Sequence, residues 1–143
     1  MFKKILVATD GSEASLEAAR LADRYAEKGM ADEIHLVTVG TDFADGKLGV
    51  TLPSFDDLNS YQIKQGEKIL EDTAKVITHA EKLVQKSLLG SAATVICDYA
   101  DKNGCDLVIM GSHGSGQIKG LLLGSVSTRV LHYCNVPVTI VKE

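Results

Sequence analysis

The sequence has few cysteines, and their arrangement limits what they can do. The chain has three, Cys97, Cys105 and Cys134, an odd number without a CxxC spacing, and each lies in or beside an apolar segment. They are therefore predicted to be buried, reduced thiols that act as small hydrophobic side chains. His132 and Cys134 have no second ligand pair with zinc-type spacing nearby, which argues against a metal held by side chains.

An excess of positive charge and a long hydrophobic run are also missing. The 15 Lys and Arg are outnumbered by 19 Asp and Glu, which argues against binding to nucleic-acid phosphates. The first apolar run, Ile5–Ala8, is too short for a signal peptide or a membrane span. With 45% hydrophobic and 24% charged residues over 143 positions, the chain is expected to be one soluble domain, 1–143, in the cytoplasm.

Five apolar stretches alternate with helical patterns, which predicts an α/β fold with a parallel sheet covered by helices. Three of the stretches are nearly unbroken and are predicted to be central strands: Ile5–Ala8, Ile34–Val39 and Leu107–Met110. Lys82–Leu89 carries two lysines and is predicted to be an edge strand. Val136–Val141 contains Pro137, so this strand lies at an edge or begins at the proline.

Apolar residues at helical spacing predict four helices between these strands. The first contains Ala14 to Tyr25 and ends at Gly29, and the second shows its pattern from Gly66 to Ala80. The third runs from about Ser91 to Asn103, and the fourth from near Ser125 to Asn135. The segment 40–60, rich in Gly, Asp and Ser, is predicted to be a long loop that is either a functional lid or solvated.

Two strand ends carry residues suited to a ligand, because ligands of open parallel sheets bind beyond the carboxyl ends of strands where the strand order reverses. Asp10 follows the first strand and either accepts hydrogen bonds from a ligand or forms a capping box with Glu13. The segment 111–125 holds five glycines and three serines and leads into a helix. Glycines permit positive φ and close approach of a ligand, and amides at a helix start bind phosphate, with the Ser125 and Ser127 hydroxyls as further donors.

Two common phosphate motifs fail in this glycine loop. A Walker loop requires Lys and Ser or Thr where the chain has Gln117 and Ile118, and Gly114, Gly116 and Gly120 miss the G-x-G-x-x-G spacing by one residue. The spacing that fits is G-x(2)-G-x(9)-G-S, formed by Gly111, Gly114, Gly124 and Ser125.

At these residues the chain resembles the ATP-binding members of the universal stress protein family. The segments "KKILVATDGSEAS", "DLVIMGSHG", "LLLGSVSTRVL" and "VPVTIV" extend the likeness over nearly the whole chain. The resemblance implies a Rossmann-like, adenine nucleotide alpha hydrolase-like fold: a single open doubly wound parallel five-stranded sheet in the order 3-2-1-4-5. It also implies a homodimer through the last strand, Val136–Val141, and binding of ATP with Mg or Mn through the phosphates.

The resemblance implies a role for each part of the site. The first strand end and the last valine of the second strand flank adenine, and the glycine loop and helix start hold ribose and phosphates. The implied nucleotide-binding residues are Ala8, Thr9, Asp10, Val39, Met110, Gly111, Ser112, His113, Gly114, Ser115, Gly116, Gly124, Ser125, Val126 and Ser127. The chain departs from the family at Ala8, where proline is frequent, and at Ser115, where arginine is frequent. We therefore expect weaker phosphate binding, with Lys119 or a divalent metal supplying positive charge.

Three functions remain open from the sequence. The first is a stress-response regulator that binds ATP with no or slow hydrolysis, and the second is a slow ATPase or autophosphorylating enzyme. The third is a dimerisation module that has lost nucleotide binding, which Ser115 and Gln117 favour. No positioned base, Walker-type aspartate or arginine finger is recognisable, so no catalytic residue is assigned. His113 either contacts ribose or backbone, donates to a phosphate or relays a proton.

Overall fold

Five strands and four helices alternate through residues 1–43, 55–114 and 123–143, the part of the chain that the computed structural model describes. The strands are β1 (Phe2–Ala8), β2 (Ala31–Gly40), β3 (Lys82–Leu89), β4 (Leu107–Gly111) and β5 (Val138–Val141). The helices are α1 (Glu13–Glu27), α2 (Phe55–Ala74), α3 (Ala92–Lys102) and α4 (Ser125–Tyr133). The sheet order is β3-β2-β1-β4-β5 and every pairing is parallel, which confirms the predicted doubly wound sheet.

The central strands are buried on both faces because their side chains alternate between two helical layers. Ile5 and Val7 of β1 lie in a core that α1 and α2 cover. Leu6, between them, lies in a second core with Ile96 of α3 and Val130 of α4. The three unbroken apolar runs are therefore the central strands, as predicted.

The two edge strands also lie where the sequence places them. β3 pairs only with β2 within the described sheet, and its lysines, Lys82 and Lys86, are exposed. β5 begins at Val138, directly after Pro137, whose carbonyl accepts a hydrogen bond from the Val108 N–H. Because proline has no N–H to donate, it pairs through its carbonyl alone and marks the strand start.

Two helix ends follow the predicted stop signals, and a third lies two residues earlier than predicted. Gly29, after α1, and Gly104, after α3, both adopt a φ of +69°, which favours glycine. α4 ends at Tyr133, before the predicted Asn135, because Cys134 is already extended with φ −72° and ψ 138°.

In the described ranges, no helix combines the length and the apolarity needed to cross a membrane.

The predicted bounds of the second helix are wrong at both ends. α2 begins at Phe55 and ends at Ala74, so part of the predicted long loop is helical; residues 44–54 of that loop lie outside the described residues. Two acidic residues, Asp56 and Asp57, occupy the first turn, where the helix dipole favours them. Val76 and Ile77 lie beyond the helix, but they pack against the same core, so their apolar spacing extends the helical pattern past its real end.

The prediction of three reduced thiols is correct only for Cys105, which is buried and free. Cys97 of α3 and Cys134, the residue after α4, form a disulfide with their Cα atoms 4.9 Å apart. They are 37 residues apart in sequence, and the packing of α3 on α4 brings them together. Their spacing contains no sign of this contact, which is why the sequence alone misses the bond.

A buried carboxylate ties α1 to the segment between α2 and β3. Asp23 of α1 accepts hydrogen bonds from the backbone N–H groups of Thr78 and His79, and its Oδ2 lies 2.8 Å from His79 Nδ1. Burial alone raises the pKa of Asp23, but the bonds from His79 and Thr78 outweigh it and hold the pKa below 3.8. The bond to Asp23 in turn raises the pKa of His79 above 6.5.

The Asp23–His79 pair predicts a pH-dependent stability. Because the folded-state pKa of His79 exceeds its unfolded value of about 6.5, its contribution is fully present below that pH and is lost as pH rises through the folded-state pKa. We expect His79→Gln to lower the free energy of unfolding more at pH 5.5 than at pH 8.5, measured by urea denaturation. His132→Gln, on the exposed surface of α4, is the matched control and should show a smaller difference. Equal losses for His79→Gln at both pH values would contradict the assignment.

Candidate functional site

A cavity of about 280 Å³ opens at the carboxyl ends of β1, β2 and β4. Ala8, which ends β1, and Gly111, which ends β4, both line it. β1 and β4 are neighbours at the point where the strand order reverses, so the cavity lies at the predicted switch point. Its volume is near the lower end of the roughly 300–1,000 Å³ typical of small-molecule sites.

The structure brings most of the predicted nucleotide-binding residues to this cavity. Those in its lining are Ala8, Thr9, Asp10, Val39, Met110, Gly111, Ser112, His113, Gly114, Gly124, Val126 and Ser127. Ser125, the first residue of α4, is exposed and is not part of the lining. Ser115 and Gly116 lie outside the described residues. Two segments far apart in sequence, after β1 and after β4, thus form one site.

Sequence reasoning misses four residues of the lining: Ser15, Val37, Ala92 and Ile96. Strand alternation offers a signal for Val37, because it precedes Val39 by two residues and so lies on the same face. Ala92 and Ile96 are one helical turn apart and so lie on the same face of α3. Because α3 follows β3 and starts at the same edge of the sheet as the cavity, its first turns were also candidates for the lining. Ser15 lies in the first turn of α1 and has no comparable signal.

One part of the cavity is apolar. Six of its apolar lining residues belong to, or pack against, the core between the sheet and the α3–α4 layer: Ala8, Val37, Val39, Ile96, Met110 and Val126. Ala8 pairs with Val37 on one side and with Met110 on the other, so these residues form a continuous floor. A flat, mostly apolar ring can pack against such a floor with little loss of polar contacts.

The described glycines of the loop act through close packing rather than through positive φ. A Cβ on Gly111 would lie 2.7 Å from Ala14 Cβ and 2.8 Å from the Ala14 carbonyl carbon, and one on Gly114 would lie 2.3 Å from Asp10 Oδ2. Positive φ is found at other glycines of the described chain, such as Gly11 at +83°. At Gly111 and Gly114 the missing Cβ, and not positive φ, is what lets the β4 end approach α1 and Asp10.

The turn after β1 is held by its own side chains. Asp10 Oδ1 accepts a hydrogen bond from Ser12 N–H at 2.9 Å, and Ser12 is the N-cap of α1, accepting from Ser15 N–H through its hydroxyl. The predicted capping box of Asp10 with Glu13 is therefore wrong. Because Ser12 stands closer to the helix start, it caps α1, and Asp10 instead stabilises the turn that leads into the helix.

Three buried hydroxyls support the same turn from below. Thr9 Oγ1 lies 3.1 Å from Ser15 Oγ and 2.9 Å from Thr73 Oγ1, and it accepts a hydrogen bond from Gly11 N–H. Ser15 donates to the Ser12 carbonyl and Thr73 donates to the Ile69 carbonyl. The cluster joins the β1 end to α1 and α2, and these hydrogen bonds hold the residues at the rim of the cavity in position.

The start of α4 forms the opposite wall. Gly124, the N-cap, donates its N–H to the Ser112 carbonyl, and Ser127 donates its hydroxyl to the Ser112 and Gly124 carbonyls. In this arrangement the Ser127 hydroxyl proton points to main-chain carbonyl groups of the protein. The first-turn amides remain the donors at this wall, since the N-cap has no side-chain hydrogen bond.

His113 lies between the two segments. Its Nδ1 is 3.0 Å from Ser112 Oγ, and its carbonyl accepts a hydrogen bond from the Ser12 hydroxyl at 3.5 Å. The ring is thus held against the loop that carries it. Among the described residues, no group of three or more His, Cys, Asp or Glu is placed to hold a metal ion.

Comparison with known proteins gives consistent results. A sequence model of the universal stress protein family matches residues 1–142. Universal stress protein YxiE of Bacillus subtilis is 34% identical over 99% of this chain and 100% of its own length, and universal stress protein MJ0531 of Methanocaldococcus jannaschii is 33% identical over 100% and 84%.

Two solved structures extend the comparison to the fold. The structure of hypothetical protein MJ0577 matches with a TM-score of 0.85 at 28% identity, covering 100% of this chain and 97% of that one. A universal stress protein in complex with cAMP matches with a TM-score of 0.67 at 25% identity, covering 99% and 97%.

The close packing of Gly111 predicts a specific stability loss. We expect Gly111→Ala to lower the free energy of unfolding by about 1–3 kcal/mol, because the new Cβ meets the α1 main chain. The control is Gly40→Ala at the end of β2, where the nearest atom, Gln62 Oε1, ends a flexible side chain. Urea denaturation measures both variants. A loss at Gly111→Ala no larger than at Gly40→Ala would contradict the packing argument.

Proposed function

The chain belongs to the universal stress protein family, and we propose that it is a cytoplasmic stress-response regulator that binds ATP with Mg or Mn in the switch-point cavity. The observation that carries the proposal is the pairing, in one cavity, of an apolar floor with an uncapped helix start. These two halves match the two chemical parts of a nucleotide, an aromatic base and an anionic phosphate chain.

The apolar half suits adenine. Val37 and Val39 project from β2, Met110 from β4 and Ile96 from α3, so aliphatic side chains come from three elements around the same space. A purine buried there gains dispersion contacts and loses water from both faces. A universal stress protein with a similar fold was solved in complex with cAMP, whose base is adenine, which supports this choice of ligand.

The polar half suits phosphate. α4 contributes the amides of its first turn and the positive end of its dipole. The described residues offer no cluster of metal-binding side chains, so Mg or Mn is proposed to bind through the phosphates. There the metal neutralises the negative charge of the phosphates. In relatives an arginine frequently stands at the position of Ser115, and its positive charge is missing here.

Two hydroxyls of the described lining, those of Ser15 and Ser127, favour binding over turnover. Ser15 donates to the Ser12 carbonyl and Ser127 to the Ser112 carbonyl, so both protons are used in holding the walls. A nucleophile needs a neighbouring base that removes its proton, and these two hydroxyls instead have carbonyl partners. The Ser112 hydroxyl does lie 3.0 Å from His113 Nδ1, but Ser112 is buried. The proposed activity is therefore ligand-dependent regulation, with hydrolysis absent or slow.

Calorimetric titration tests this proposal. We expect the parent to bind ATP in the presence of Mg, and Gly114→Val and Gly124→Val to lose roughly tenfold or more in affinity, because the added side chains displace the phosphate from its amide donors. Gly104→Ala is the control: it strains a glycine with φ +69° after α3, away from the cavity lining, and should keep the parent affinity. No binding by the parent at millimolar ATP would sink the proposal.

We further propose that the protein forms a homodimer through β5. Val108 N–H donates to the Pro137 carbonyl, so alternation directs the N–H of Val138 and Ile140 away from β4, toward the open edge. Leu131 and Tyr133, at the end of the preceding helix, are exposed at 45% and 65%. An apolar, half-buried edge strand with free donors is suited to pairing with a second copy.

Sedimentation analysis tests the dimer. Val138→Pro removes one outward N–H and leaves the pairing with β4 in place, so we expect it to shift the protein toward the monomer at a concentration where the parent is dimeric. Val138→Thr keeps the N–H and a similar shape, and should remain dimeric. A parent of monomer mass, or a dimer unaffected by Val138→Pro, would rule out this interface.

A further inference from the structure

The Cys97–Cys134 disulfide joins two helices that contribute walls to the cavity. α3 supplies Ala92 and Ile96 to the lining, and Cys97 directly follows Ile96. α4 supplies Val126 and Ser127, and Cys134 lies directly after its last residue. The bond therefore connects the cavity walls through two short helices.

The two helices are held to the rest of the molecule very differently. α3 buries Ala93, Ile96, Cys97 and Ala100 against the sheet. The hydroxyl of Tyr99 on the same helix lies 2.7 Å from Nδ1 of His35, a buried residue of β2. This helix is fixed by apolar packing and by a hydrogen bond to a central strand.

α4 has much weaker attachments. It is nine residues long, and the residues it buries are Ser127 and Val130. Its start is bonded to the Ser112 carbonyl, and it packs chiefly on α3. A helix this short has little stability of its own, so its position depends on what anchors its ends. The disulfide is the covalent anchor at the carboxyl end.

We propose that Cys97 and Cys134 are a reversible thiol–disulfide site that exchanges with low-molecular-weight disulfides, and that oxidation holds α4 against α3. In the oxidised form the α4 wall of the cavity is ordered, and in the reduced form it is looser. The consequence for ligand affinity rests on the proposed nucleotide function: oxidation increases the affinity for ATP. The site thus makes nucleotide binding dependent on the redox state.

The order of exchange follows from the exposure of the two residues. Cys134 is half-buried and Cys97 is 5% exposed, so the Cys134 thiolate attacks glutathione disulfide first and releases one glutathione thiolate. The Cys97 thiolate then attacks Cys134 Sγ in the mixed disulfide and releases the second. In sum, two protein thiols and one glutathione disulfide give one protein disulfide and two glutathiones. Burial raises the pKa of Cys105 to about 11, which leaves this third thiol unreactive.

Three measurements on the full chain test the proposal, in a Cys105→Ala background that leaves the pair as the only thiols. Thiol counting by mass spectrometry, over a series of reduced-to-oxidised glutathione ratios, should show the loss of two thiols together. Hydrogen exchange should show slower exchange of amides 124–133 in the oxidised form. ATP titration should show an affinity about fivefold or more higher in the oxidised form than in the reduced form.

The Cys134→Ser variant, at the less buried position, should show neither thiol loss nor any redox effect on exchange or affinity. Failure of the two thiols to oxidise together at every ratio would overturn the site. A disulfide that forms without slowing exchange at 124–133, or without changing ATP affinity where ATP binds, would overturn the link to the cavity. If ATP does not bind in either state, the proposed function fails, and thiol counting with hydrogen exchange still decides the redox site.

Discussion

The contact between Gly111 and the first turn of α1 is the constraint on which the cavity depends. The last residue of β4 lies so close to the main chain of Ala14 that no Cβ fits between them. This approach brings the loop after β4 to the turn after β1, where Asp10 lies beside Gly114 and Ser12 bonds to the His113 carbonyl. The cap of α1 is supplied by Ser12, whereas the start of α4 has no side-chain cap and is the end of the site at which we propose that phosphate binds.

The two faces of the sheet have different roles. On the α1–α2 face, strand side chains make a closed core, and the hydroxyls of Thr9, Ser15 and Thr73 join that layer to the β1 end. On the other face, the core between sheet and α3–α4 layer continues into the cavity floor through Ala8 and Met110. The candidate site is thus an opening in a hydrophobic core, bordered by α4, a nine-residue helix that buries Ser127 and Val130 and is joined to α3 through Cys134.

The parts of the fold that were predictable are those with a local physical signal. Strands buried on both faces need unbroken apolar runs, and helix ends need residues such as Gly29 and Gly104 that tolerate positive φ. The start of α2 was missed because composition alone made 40–60 look like a loop. Its end was missed because Ile77 packs into the same core although it lies beyond the helix. The helical spacing of apolar residues therefore continues past Ala74, where the helix itself ends. In the site, Val37 and Ile96 had signals in strand and helix periodicity, whereas Ser15 had none.

The sequence by itself determined the alternation of strands and helices, the edge strands, the glycine spacing and the family, since each depends on residues close together in the chain or on a motif of constant spacing. Tertiary structure alone decided which residues meet: that Ser12 and not Asp10 caps α1, that Ser127 bonds to Ser112, and that Cys97 reaches Cys134. These contacts join segments whose separation depends on how helices pack on the sheet. Packing depends on the shape of the whole core, so no local pattern contains it.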